Sequence, residues 1–212
     1  MTATLAATFA ATGCIRGRLP PREFYRLTRA DSLPAGPRPN GGPPPLDASI
    51  AVSAYDTPGI YASGGIAYRV GATQYGVYPS REWAIPLGEM LGALTETTLR
   101  ERGLSTGRIT FDPPPGRSEQ YVWRGAVREF DEVDGVASVS ASVALTAQLV
   151  RVADDSIVWS GSAHEVEPVR ETRSMSAVVA ALSAAASRAL ARLADSASAA
   201  LRRSPAAGAQ PR

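Results

Sequence analysis

The run of strict alternation from Ala137 to Leu149 constrains this chain most. Ala137, Val139, Ala141, Val143, Leu145, Ala147 and Leu149 take every second position, with Ser138, Ser140, Ser142, Thr146 and Gln148 between them. Side chains alternate across a strand, so a period of two turns one apolar face to a core and one polar face outward. The run is about twice the usual strand length of 5–6 residues, which predicts a long twisted or bulged ribbon. Asp134-Gly135 just before it is a hairpin signal, and on the far side Tyr121, Trp123 and Val127 alternate with Arg124 and Arg128. Asp154-Asp155-Ser156 turns the chain into Ile157-Val158-Trp159. Residues 119–167 therefore read as a three-stranded antiparallel meander.

A ribbon with one apolar face needs a second layer to bury it. The chain supplies one at its C-terminal end. Met175, Val178, Val179, Leu182, Ala186, Ala189, Leu190, Leu193 and Ala197 recur at three- and four-residue spacing, one continuous helical stripe. Ser174 is the expected N-cap, and Ser204-Pro205 ends the pattern. A helix of about 28 residues reaches roughly 40 Å, enough to cross a whole sheet. The stripe is expected to pack onto Val139, Val143, Leu145 and Leu149. A second helix opens at Pro86, with Leu87, Met90, Leu91, Leu94, Thr98 and Leu99 on one face and Gly103 as its stop.

Earlier strands are expected at 23–27, 49–55, and in a hairpin of 66–70 with 73–78 around Gly71-Ala72. The stretch 31–47 is dense in proline and glycine, which excludes a helix or central strand and predicts a loop. The fold class is α+β: an antiparallel sheet with a long three-stranded meander, covered by two helices including a long C-terminal helix. The domain spans 23–203, and 204–212 reads as a disordered tail.

Composition narrows the function. Net charge is +2 and the 22 basic residues, all arginine, are scattered, so no basic stripe would track nucleic acid. No stretch reads as a transmembrane helix. A single cysteine forbids an intrachain disulfide. No GxxxxGK[ST] loop occurs, so an ATPase served by this chain would be another subunit. His164, the only histidine, stands beside Glu165 and Glu167. With Ser160 or Ser162 it would make an exported hydrolase, although no G-x-S-x-G elbow accompanies it. A surface-strand histidine is the ordinary alternative, and no metal cluster is recognisable. Asp154-Asp155 is turn chemistry rather than a cation site. Trp83, just before Pro86, reads as a core clamp on the helix entry or as an interface anchor. Tyr61, Tyr68 and Tyr78 pose the same choice between strand packing and a partner or lipid contact.

Cys14 gives the location. An apolar run from Leu5 to Ala11 leads into Ala11-Thr12-Gly13-Cys14, a short export core ending in small residues. Residues 1–13 read as a lipoprotein signal peptide, Cys14 as the site of thioether lipidation, and 14–22 as anchor and spacer. The leader carries no Lys or Arg, which a translation start further upstream would explain. The alternatives are an incidental cysteine in a tail and a soluble binding domain with no membrane link.

The order of several short segments resembles a known family. Tyr25-Arg26-Leu27 is followed by Ile50-Ala51-Val52, Pro58-Gly59-Ile60, Gly65-Ile66-Ala67-Tyr68-Arg69, and Arg81-Glu82-Trp83-Ala84-Ile85-Pro86. The strand from Tyr121 to Phe130 and the helical Val179-Ala180-Ala181-Leu182-Ser183-Ala184-Ala185 complete the series. Together they resemble the ABC-type transport auxiliary lipoproteins, which include the PqiC-like proteins. The short leader and the proline-rich segment depart from that pattern. The resemblance implies a non-enzymatic protein facing the periplasm, with no cofactor beyond the diacylglycerol and acyl lipid on Cys14. Its implied partners are an ABC permease and ATPase with a Mce-type (MlaD-like) substrate-binding protein, in lipid traffic between inner and outer membranes. Ile15 after the cysteine favours the outer membrane by the enterobacterial sorting pattern. Self-association into a homo-oligomer is left open.

Overall fold

The structure, a computed structural model, describes residues 21–29, 44–115, 119–135, 138–171 and 174–203. In chain order its elements are β1 (Glu23–Tyr25), β2 (Ile50–Val52), β3 (Gly65–Val70), β4 (Gln74–Trp83), α1 (Leu87–Glu101), β5 (Ile109–Phe111), β6 (Tyr121–Asp134), β7 (Val139–Arg151), β8 (Ser156–Pro168) and α2 (Met175–Arg203). A short 3-10 turn, Gly59–Ser63, lies between β2 and β3. Cys14, the leader, most of the proline-rich segment and the tail at 204–212 lie outside the described residues.

The alternation read from sequence becomes the meander: β6 pairs antiparallel with β7 from Tyr121↔Arg151 to Asp134↔Val139, and β7 with β8 from Ser140↔Pro168 to Arg151↔Ser156. Asp155 takes a left-handed φ of 51° in the β7–β8 turn, a conformation that Asp tolerates better than most residues. Two register shifts bend the ribbon. One, between Val127 and Glu129, leaves Arg128 as an extra residue on β6. The other, between Leu149 and Val150, leaves Val158 extra on β8.

The opposite edge of β6 is shared. Its first residues, Tyr121–Trp123, pair parallel with β2, and its last, Asp131–Asp134, pair parallel with β3. Between them Asp56 bridges to Ala126, so the chain from β2 to β3 follows β6 in one direction, with the 3-10 turn as its excursion. β5 adds parallel to β2, β4 antiparallel to β3, and β1 parallel to β4. The result is an open, mixed, eight-stranded sheet. The sequence reading anticipated antiparallel pairing throughout. Alternation reports which face a residue takes, not the direction of its neighbour, so the parallel pairs and the short β5 left no mark in it.

Both helices lie on one side. α2 runs over β7 and β8 and packs against α1. Leu182, Ala185, Ala186, Ala189, Ala194 and Ala197 are fully buried, as are Val143 and Leu149, with Leu145 nearly so. Alanine lets the helix axis approach the sheet closely, and each fully buried leucine adds about 1.5–3 kcal/mol. Ser174 caps α2 by accepting from the Ala177 backbone N–H at 3.3 Å. Arg102, just past α1, donates through Nη1 to both carboxylate oxygens of Asp195 of α2, at 3.1 and 2.8 Å, a charged contact between the two helices. By length and a mean hydropathy of 1.4, α2 is apolar enough to cross a membrane, contrary to the sequence reading. Yet 72% of that window is buried within the domain, so its stripe is committed to the core.

Tyr55 locks α1 to the sheet. The Trp123 indole Nε1 donates to its hydroxyl at 3.2 Å, and Thr95 Oγ1 of α1 lies 3.1 Å from the same oxygen. Its ring lies over Gly125, where any Cβ would collide with it, and its carbonyl lies against Gly88 in the same way. Trp123 in turn stacks on Trp159, centroids 5.0 Å apart.

Candidate functional site

The four aromatic candidates fall in different environments. Trp83 closes β4 at 7% exposure, with its ring edge-on to Phe130 at 5.9 Å. It fills the core at the entry to α1 and offers no surface to a partner. Tyr61, Tyr68 and Tyr78 are half-buried, and the register of β6 divides them between the two faces of the sheet. Glu132 pairs with Ala141 on the helix-facing side, whereas Asp131 pairs with Ser142 on the other.

On the helix-facing side, Tyr68 stands in register with Glu132 and meets Tyr78 with ring centroids 4.9 Å apart. Gly76 makes room for the Tyr68 ring, which a Cβ there would strike. The Tyr78 hydroxyl donates to Glu132 Oε2 at 2.8 Å. Burial pushes the Glu132 carboxyl above its ordinary value, and the Tyr78 hydrogen bond pulls it partly back. The Tyr78 phenol is held far above its own ordinary value, by burial first and then by the Glu132 hydrogen bond and charge.

On the other face, Tyr61 from the 3-10 turn sits beside Asp131, whose side chain is fully buried. Neither Asp131 oxygen has a hydrogen bond of ordinary geometry. Burial raises its carboxyl above the usual range, opposed by Tyr61 and by Arg69, whose Nε lies 3.7 Å away. Arg69 also reaches Glu129 at 3.4 Å and lies over the Tyr75 ring at 5.8 Å. Glu129 accepts from the Ser142 hydroxyl at 2.9 Å, and Ser142 Oγ lies 3.0 Å from His164 Nε2.

The structure thus gives His164 a serine and an acid, but not the serines expected from sequence: Ser142 of β7 takes the place of Ser160 or Ser162. The arrangement does not form a nucleophile relay. Ser142 and Glu129 both lie near the same imidazole nitrogen, the latter at 3.8 Å. In a triad the acid instead orients the ring through its other nitrogen. Ser142 is also only 2% exposed, so no substrate carbonyl reaches its oxygen. Among the described residues no three of His, Cys, Asp and Glu are placed to hold a metal. Sequence reasoning missed Asp131, Glu132 and Glu129. The available signal was the acid-rich end of a strand whose first half alternates cleanly.

The comparisons with known proteins agree with this architecture. The sequence profile described as the ABC-type transport auxiliary lipoprotein component matches residues 25–196. A Xanthomonas campestris protein of the DUF330 family is 21% identical and superposes with a TM-score of 0.70, covering 85% of this chain and 97% of that one. A second crystal structure, of an uncharacterised protein, gives 15% identity and a TM-score of 0.62, covering 83% of this chain and 98% of that one. At these identities the likeness is one of fold. No curated protein matches the sequence.

Proposed function

This chain belongs to the family of ABC-type transport auxiliary lipoprotein components, and on that basis we propose that it is the lipid-anchored, non-catalytic accessory subunit of a Mce-type transport system moving lipids across the envelope. The observation that carries the reading is the family match over residues 25–196, with Cys14 and its small-residue approach a short way upstream. Diacylglycerol and a further acyl chain on Cys14 would hold the domain at the membrane, since one chain alone binds only marginally. Ile15 favours the periplasmic face of the outer membrane over the inner. Tyr61, Tyr68 and Tyr78, half-buried at the β3–β4 end of the sheet, are the residues proposed to meet a partner or lipid. The Ser142–His164–Glu129 geometry favours a structural network over hydrolysis.

Purification of the tagged chain from its native locus in mild detergent tests the proposal. Co-elution of an ABC permease, its ATPase and a Mce-domain protein is expected. Recovery without any of the three, from membranes that contain them, would overturn it.

A further inference from the structure

The face of the meander turned away from α2 carries a groove that the transport reading does not use. Arg124, Gln148 and Ser160 align in register across β6, β7 and β8, and Ala126, Thr146 and Ser162 form the next outward row. Arg128, the extra residue of the β6 bulge, stands beyond them. Together they line a concavity of about 540 Å³, within the roughly 300–1,000 Å³ typical of small-molecule sites. Its depth has a local cause. Between the two arginines the only outward side chain on β6 is the small Ala126.

The lining has a one-sided chemistry. It holds two guanidinium groups, three hydroxyls and one amide, with no carboxylate and no aromatic ring. Arg69, Arg81, Arg102 and Arg188 each face an acid elsewhere in the fold. Arg128 has no such partner among the described residues. Arg124 meets only Asp155, at 3.7 Å, with both side chains mostly exposed; such a solvent-screened pair contributes little and exchanges readily.

We infer that this groove binds a phosphate-bearing anion with adjoining hydroxyls, either the headgroup of an anionic phospholipid or a soluble phosphate ester. Guanidinium forks match phosphate oxygens in pairs. Ser, Thr and Gln side chains donate and accept, so they suit the remaining phosphate oxygens and a polyol alike. No apolar wall is present to take an acyl chain or a base, so recognition is by the headgroup alone. The inference stands independently of the transport role.

Calorimetric titration of the full chain carrying Cys14→Ser tests it, in two arms. One arm uses soluble glycerophosphoglycerol. The other compares phosphatidylglycerol with phosphatidylcholine vesicles. Saturable binding is expected in at least one arm, weakened by salt. Arg124→Gln and Arg128→Gln should each lower affinity about tenfold or more, while the melting temperature, checked in parallel, stays unchanged. Binding in the soluble arm identifies a phosphate ester as sufficient. Binding only to phosphatidylglycerol vesicles identifies a membrane headgroup. Silence in both arms, equal binding to phosphatidylcholine, or affinity indifferent to both arginine variants would each overturn the inference. None of those outcomes bears on co-elution with transporter subunits.

Discussion

Replacing Leu182 by alanine probes the joint that holds this domain together. Leu182 lies on α2 with no solvent exposure, in the same core cluster as Val143, Leu145 and Leu149. The substitution loses the transfer energy of the deleted methyl-bearing carbons and leaves a cavity. Neighbouring positions on the helix are largely alanine, including Ala181, Ala185 and Ala186, and these have no side chain able to swing into the space. The cost should therefore fall in the upper half of the range for buried Leu→Ala changes, about 4 kcal/mol. At about 2–4 °C per kcal/mol for a domain of this size, the melting temperature should drop by roughly 8–16 °C. Leu182→Asp would bury an unpaired carboxylate and cost more still. The same aspartate at exposed Ala180, on the opposite side of the helix, should cost about 1 kcal/mol or less. Thermal melts followed by circular dichroism, with urea titrations to check an unchanged m value, measure all three. A shift under about 3 °C for Leu182→Ala, or equal shifts for aspartate at 180 and 182, would refute the docking of α2 on β7 and β8.

Three further outcomes follow from particular contacts. Tyr55→Phe removes the hydroxyl that receives the Trp123 indole N–H and adjoins Thr95, so urea denaturation should show a loss of about 1–3 kcal/mol with the fold retained; no loss would mean that the hydroxyl is dispensable. Asp131 is held above its ordinary value by burial, so the native state keeps a proton that the unfolded chain has lost above about pH 3.9. The stability that this proton lends the native state falls as pH rises through the window between the two values, and Asp131→Asn should be more stable than wild type at pH 7 and level with it near pH 4. A variant less stable than wild type at pH 7 would show that Arg69 compensates the charge fully. His164→Ala should leave complementation of a deletion strain intact, and loss of complementation by a folded variant would reopen a chemical role for the Ser142–His164–Glu129 cluster.

How much of this was legible in the sequence depended on whether the signal was local. The β7 alternation, the α2 stripe, the Pro86 entry and the Ser174 cap are all set by neighbours within a few positions, and each appears in the structure at the expected residues. Gly71, at a φ of 61°, and Gly103, at 63°, mark the expected turn and helix stop. β2, by contrast, is only Ile50–Val52 where a strand of 49–55 was expected, because Tyr55 turns its N–H to the Gly88 carbonyl of α1, at 3.0 Å, before Asp56 returns to β6. The parallel pairs of β6 with β2 and β3 join segments distant in sequence, and no local period encodes them. The acids of the second half of β6 show in the sequence only as an acid-rich strand end, and their burial could not be read from it for the same reason. Asp131 and Glu132 are ordinary in sequence and become unusual only when β3, the 3-10 turn and β4 fold over them. The groove at Arg124 and Arg128 likewise depends on the β6 bulge, which appears only when the register with β7 is known.

The central claim, a lipid-anchored accessory subunit, stands most directly on Cys14. Intact-mass analysis of the protein extracted from membranes, after expression from its native locus, reads that claim in one measurement. The account predicts a chain beginning at Cys14 and carrying diacylglycerol with a further acyl chain, released by detergent but not by high salt, and a Cys14→Ser protein that is folded and free in the soluble fraction. A wild-type protein recovered soluble, with an unmodified Cys14 thiol, would contradict it.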